Sequence, residues 1–167
     1  MPGGLPMKRS TEEKISQTKG RSWEDNVLTW GTARDMLALV GPIVKDILNG
    51  AQRRTELLAE QVHLDRNRIK LLWRDRARRY EIQDDILAIE RELTDARAEL
   101  DRLGVALLDD REGEVGFPTL VNDRRAFFTW RPSEENLDFW QFEGEVTRRQ
   151  VPPAWTKVTE SAGGARR

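Results

Sequence analysis

Apolar residues recur every three to four positions from Ala33 to Leu103, and then give way to short alternating runs. This change of period predicts long helices followed by strands. Ala33, Leu37, Val40, Val44, Ile47 and Ala51 alternate by four and three. After Ala51 the phase slips by an extra step of four, to Thr55, and resumes through Leu58, Val62, Asp65, Ile69 and Leu72. Such a slip predicts a stutter, which locally unwinds a left-handed supercoil. Asn49-Gly50 beside it is read as tolerated strain or a close approach of helices, with a true break as the lesser alternative. Ile82, Ile86, Ile89, Leu93, Ala96, Leu100 and Leu103 form an unbroken repeat, the pattern of a coiled-coil seam. Gly104 follows directly and suits the left-handed position after a helix end. Thr29 or Thr32 can cap the first helix, and Gly41-Pro42 predicts a kink, or a short helix followed by a new one.

No Gly or Pro lies between Ala51 and Leu103, so one continuous helix also fits the pattern. Such a helix could not bury its stripe without a partner chain. The preferred reading is a hairpin with its turn near Trp73 to Ala77. Beyond Gly104, the runs Val105 to Leu108, Val115 to Phe117, Ala126 to Trp130 and Leu137 to Phe142 predict strands. Asp109 to Gly113, Val121 to Arg124 and Pro132 to Asn136 predict the turns between them, with the second strand ending at Pro118. The expected fold is mainly α, of the α+β kind: a long antiparallel helical hairpin or coiled coil followed by a small antiparallel β unit. The expected divisions are a disordered tail over 1–22, the hairpin over 23–104, the β unit over 105–155 and a second disordered tail over 156–167.

Charge refines this picture. Charged residues make up 34% of the 167, and 28 basic against 29 acidic side chains leave a net charge of -1. This balance excludes a globally polyanion-binding protein, so nucleic acid is an unlikely partner unless a local patch provides for it. No apolar run is long enough to span a bilayer, and no membrane partner is expected. The basic N-terminal residues lack the apolar stretch of a secretory signal. With no cysteine, disulfides, thiol nucleophiles and cysteine metal sites are all excluded, which fits a cytoplasmic protein.

Leu103-Gly104-Val105, Gly116-Phe117-Pro118, Trp130-Arg131, Glu134-Glu135 and Phe139-Trp140 together resemble an uncharacterised bacterial family, the domain of unknown function twenty-two-oh-three. Its members look like a helical hairpin followed by L-G-V-x-L-K-D, V-D-F-P, W-R-x-G-E and F-W-H-E segments and then a glycine and an arginine. Leu28-Thr29 through Ala33 and Met36-Leu37 resemble the family's first-helix entry. The resemblance covers roughly Leu28 to Trp155 and implies the same architecture, with no established activity. Two positions depart from it: Trp140-Gln141 replaces the family's Trp-His, and Ser133-Glu134 its Gly-Glu.

Three surfaces could carry function. The first is the seam Ile82, Ile86, Ile89, Leu93 and Leu100, where an exposed stripe would recruit a protein partner or make a homodimer through the helices. The second is a ligand or enzymatic site on the β unit at Trp130, Arg131, Glu134, Trp140 and Gln141. There the bland alternative is that the tryptophans are core and that Arg131 with Glu134 pins a turn. The third is the basic tip Arg74, Arg76, Arg78 and Arg79 with Trp73 and Tyr80, which could hold a phosphate backbone and stack a base. Its bland alternative is pairing with Asp65, Asp75, Glu81, Asp84 and Asp85. His63 is the only histidine, so neither a metal site nor a Ser-His-Asp set is expected, and no cofactor or catalytic residue is assigned. The leading expectation is a non-enzymatic interaction protein.

Overall fold

The computed structural model describes residues 23–157. The tail expected over 1–22, and all of the tail expected over 156–167 except Thr156 and Lys157, lie outside these. Helix α1 spans Trp30–Arg66. Thr29 is its cap, with Oγ1 accepting the Thr32 N–H at 3.2 Å. The helix continues across Pro42, where a second helix was one expectation. Pro42 faces solvent while Val40, Ile43, Val44 and Ile47 are buried, so packing on both sides outweighs the missing hydrogen bond.

Helix α2 spans Trp73–Arg102 and packs antiparallel on α1. Ascending positions on α1 meet descending ones on α2. Arg54 Nε lies 3.1 Å from Glu90, Arg78 Nε 2.9 Å from Glu60, and Arg79 Nε 2.6 Å from Asp65. These pairs are largely exposed and set register more than stability. A Cβ on Gly50 would lie 2.9 Å from Leu93 Cδ2, so the helices do approach closely there.

The expected stutter is absent. The stripe facing α2 runs Ile47, Gly50, Arg54, Leu57, Gln61, Leu64, an unbroken alternation of three and four. Leu64 is buried and Leu57 partly so, whereas Leu58 and Val62 are exposed. The pattern misled because a glycine, an arginine and a glutamine occupy three seam positions.

The turn lies upstream of the expected one, at Asn67 to Leu72, and Trp73 already begins α2. Asn67 caps α1 and its side-chain amide donates to the His63 carbonyl at 3.2 Å. A short 3-10 turn, Arg68–Lys70, follows, and extended Leu71 and Leu72 redirect the chain.

After α2 the left-handed Gly104 (φ 75) opens a five-stranded antiparallel meander. Its strands are β1 (Ala106–Asp109), β2 (Glu114–Val121), β3 (Arg124–Trp130), β4 (Phe139–Phe142) and β5 (Arg149–Gln150). Asn122 and Asp123, both at positive φ, make the two-residue β2–β3 turn. Strand β2 runs through Pro118, where the sequence suggested an end. Strand β1 pairs only as far as Gly116, so Pro118 lies on a free edge where a missing N–H costs no ladder bond. Its carbonyl accepts the Leu28 N–H at 2.8 Å. A helical turn, α3 (Pro153–Thr156), sets Trp155 against Trp140 and Phe128.

One face of the sheet and the near halves of both helices share a core of sixteen buried residues, including Val44, Ile47, Leu100, Phe117 and Trp130. The far half of the hairpin has only Leu64, Ile82 and Ile86, with Leu57 and Leu71 beside them. Full burial of a large aliphatic or aromatic side chain stabilises by roughly 1.5–3 kcal/mol, so the near half is held far more firmly.

Candidate functional site

The β unit brings five charged side chains, Arg131, Arg148, Glu112, Glu114 and Glu134, into one network. At the end of β3, Trp130 Nε1 donates to the Glu134 carbonyl at 3.0 Å, and Glu134 Oε2 accepts the Arg131 N–H at 3.0 Å. Arg131 and Glu134 therefore do pin the turn. Arg148, just before β5, is held bidentately by Glu134, at 2.6 and 2.9 Å. Its Nε also donates to Thr129 Oγ1 at 3.0 Å. Arg131 Nε lies 2.5 Å from Glu114, whose side chain is 8% exposed. Burial pushes the Glu134 carboxyl up. The Arg148 and Arg131 hydrogen bonds and the charge of both guanidiniums outweigh this and hold it below the usual carboxylate range. The bond to Glu114, against the cost of burial, likewise raises Arg131.

This network is satisfied rather than poised. General acid–base work needs a carboxyl near neutrality within reach of a substrate, and Glu134 is shifted the other way. The pleat also divides the five ligand-site candidates. Val115, Trp130, Phe128 and Trp140 pair across the sheet on the face turned to the helices. Arg131 and Gln141 fall on the opposite face, because successive side chains alternate. Trp130 and Trp140 are 7% and 8% exposed, as core residues are. An apolar cleft of about 230 Å³ opens on the unit between Trp30, Phe128 and Trp155, and none of the five lines it. Among the described residues no group of His, Cys, Asp or Glu is arranged to hold a metal.

The seam residues Ile82, Ile86, Ile89, Leu93 and Leu100 are all buried within the chain. They close the hairpin, and a partner reaches them only if it opens.

The tip is different. Ile69 and Leu72, which the spacing assigned to the stripe, are 96% and 74% exposed, and Trp73 is 81% exposed. Leu71 alone of the turn's apolar residues packs back on the far cluster. Arg78 is engaged by Glu60, Glu81 and Asp85, and Arg79 by Asp65, in line with the bland alternative. Arg74 and Arg76 are not, nor are Arg66, Arg68 and Lys70: none of the five has an ion pair among the described residues. Arg68, Leu71, Arg76, Arg79 and Tyr80 line a cleft of about 160 Å³.

Residues 26–151 match a protein family described as "Uncharacterized conserved protein (DUF2203)". The chain belongs to this family. No curated protein and no solved structure matches it.

The residues that tie the chain to DUF2203 have structural tasks. Gly104 ends α2, and Phe117 fills the core. A Cβ on Gly116 would lie 2.7 Å from the Phe127 ring. Trp130, Arg131 and Glu134 build the turn. They mark a fold, and the exposed tip lies outside them. Sequence reasoning missed Arg148, Glu114 and Thr129. The closing arginine of the family pattern was the one signal pointing toward the first. Strand alternation gives no sign that a glutamate would be buried.

Proposed function

We propose that this DUF2203 protein is a non-enzymatic, cytoplasmic interaction protein that docks a partner with the far end of its hairpin. The β unit and near core serve as a rigid base. The observation that carries this is the exposure of Ile69, Leu72 and Trp73 among five cations that have no ion pair among the described residues. Isolated exposed apolar residues are ordinary, but a cluster of them rimmed by charge at an extremity marks an interaction surface. The alternative, a ligand or enzymatic site at Trp130, Arg131, Glu134, Trp140 and Gln141, draws little support from side chains split between two sheet faces.

The test is a photo-crosslinking amino acid at position 73, compared with one at the exposed position 91 on the flank of α2, both in living host cells. An adduct, to protein or to lipid, is expected from position 73 and none from 91. Equal or absent crosslinking at the two positions contradicts the proposal.

A further inference from the structure

We infer that the hairpin tip docks on an anionic phospholipid surface, with Ile69, Leu72 and Trp73 entering the headgroup–acyl boundary and Arg68 and Arg76 holding lipid phosphates. This rests on the docking role of the tip proposed above and names its partner. Residues 66–79 carry seven basic side chains against Asp75 alone, and the rest of the chain carries 21 basic against 28 acidic. The tip is thus strongly positive and the remainder negative. An anionic plane attracts such a molecule tip first and repels its base.

The apolar residues select among anionic partners. Single-stranded nucleic acid rewards flat rings on which bases stack, and Trp73 and Tyr80 could serve. Ile69 and Leu72 could not, and would stay in water. Aliphatic side chains gain free energy by leaving water for hydrocarbon, and tryptophan favours the interfacial layer. The 160 Å³ cleft adds a place for a phosphate group. Of its three guanidiniums Arg79 is held by Asp65, while Arg68 and Arg76 keep their donors free among the described residues.

Shape fits a flat target. The β1–β2 turn reaches along α1 as far as Thr55, with which Asp110 and Arg111 share a cleft, and from there to Arg66 the helix rises about 16 Å at 1.5 Å per residue. The tip can touch a plane without hindrance from the β unit. Among the described residues no helix is long and apolar enough to cross a membrane, so the protein would lie on the surface rather than span it.

The experiment is flotation of the full chain with vesicles of mixed phosphatidylcholine and phosphatidylserine, and with phosphatidylcholine alone. Three forms are compared: the unaltered chain, Arg68→Gln/Arg76→Gln, and Ile69→Ser/Leu72→Ser/Trp73→Ser. The exposed positions leave the melting curve unchanged, and circular dichroism verifies this. The unaltered chain floats with the mixed vesicles only. The arginine variant binds them roughly thirty-fold more weakly, and the apolar variant no longer floats at physiological salt. Equal flotation on both vesicle types, or flotation indifferent to both variants, overturns the inference. Single-stranded RNA binding, or a dimer, lost in the same variants without flotation overturns it too, while preserving the docking role. No effect of the variants on any of these, with no crosslink from position 73, removes both.

Discussion

Replacing Arg148 with methionine destabilises the protein by about 1–3 kcal/mol, because it leaves the half-buried Glu134 carboxylate without its bidentate partner. Arg148 is 16% exposed and Glu134 19%, so solvent screens their bidentate pair only weakly. Methionine keeps an aliphatic stem over the Phe139 ring, which the Arg148 guanidinium now covers at 4.4 Å, so the loss reports charge rather than packing. The effect also has a pH signature. Glu134 is held below its ordinary value in the fold. A depressed carboxyl contributes stability that is complete above the unfolded value and fades as pH falls through the folded one. The gap between the unaltered chain and Arg148→Met is therefore full at neutral pH and narrows below the ordinary carboxylate range. Urea titrations at several pH values measure this. A gap that stays constant into acid would mean that the network is not what Arg148 supports.

Ile89→Asp should abolish the folded state rather than split an oligomer. Ile89 is 2% exposed, beside Leu93 and close to Gly50 of the facing helix. Truncating a buried isoleucine costs about 2–5 kcal/mol, and an unpaired carboxylate in that place costs several more. A domain's whole stability is only about 5–15 kcal/mol. Leu87→Asp, two residues away and 54% exposed, is the control and should melt as the unaltered chain does. A folded, cooperative, monomeric Ile89→Asp protein would show that the seam belongs between chains.

Much of the architecture was legible because it rests on local patterning. The stripe Ile82, Ile86, Ile89, Leu93, Leu100 is unbroken, Gly104 has the one backbone conformation that marks a helix end, and Asn122-Asp123 tolerate the positive φ their turn requires. The first helix was harder. Its true stripe passes through Gly50, Arg54 and Gln61, which no hydrophobicity pattern reveals, so the phase was assigned to Leu58 and Val62 instead. The same error hid the tip: Ile69 and Leu72 continued the wrong phase and looked buried. The turn has no glycine or proline, and it forms where Asn67 can cap and Leu71 can pack inward. On the β unit, Arg131 and Glu134 were visible as turn residues. Their link to Glu114 and Arg148 is a tertiary contact across 17 and 14 positions, beyond the reach of spacing arguments.

The apolar stripes are buried within one chain, which leaves the tip as the free surface. The chain has no cysteine, so Arg54→Cys/Glu90→Cys accepts two spin labels and no others. These positions face each other across the hairpin, where their native side chains meet at 3.1 Å. Pulsed electron-spin distance measurement should give one short distance, unchanged when the labelled protein is diluted with excess unlabelled chain. A short distance that disappears on dilution, or its absence altogether, would contradict the closed hairpin and return the seam to a partner.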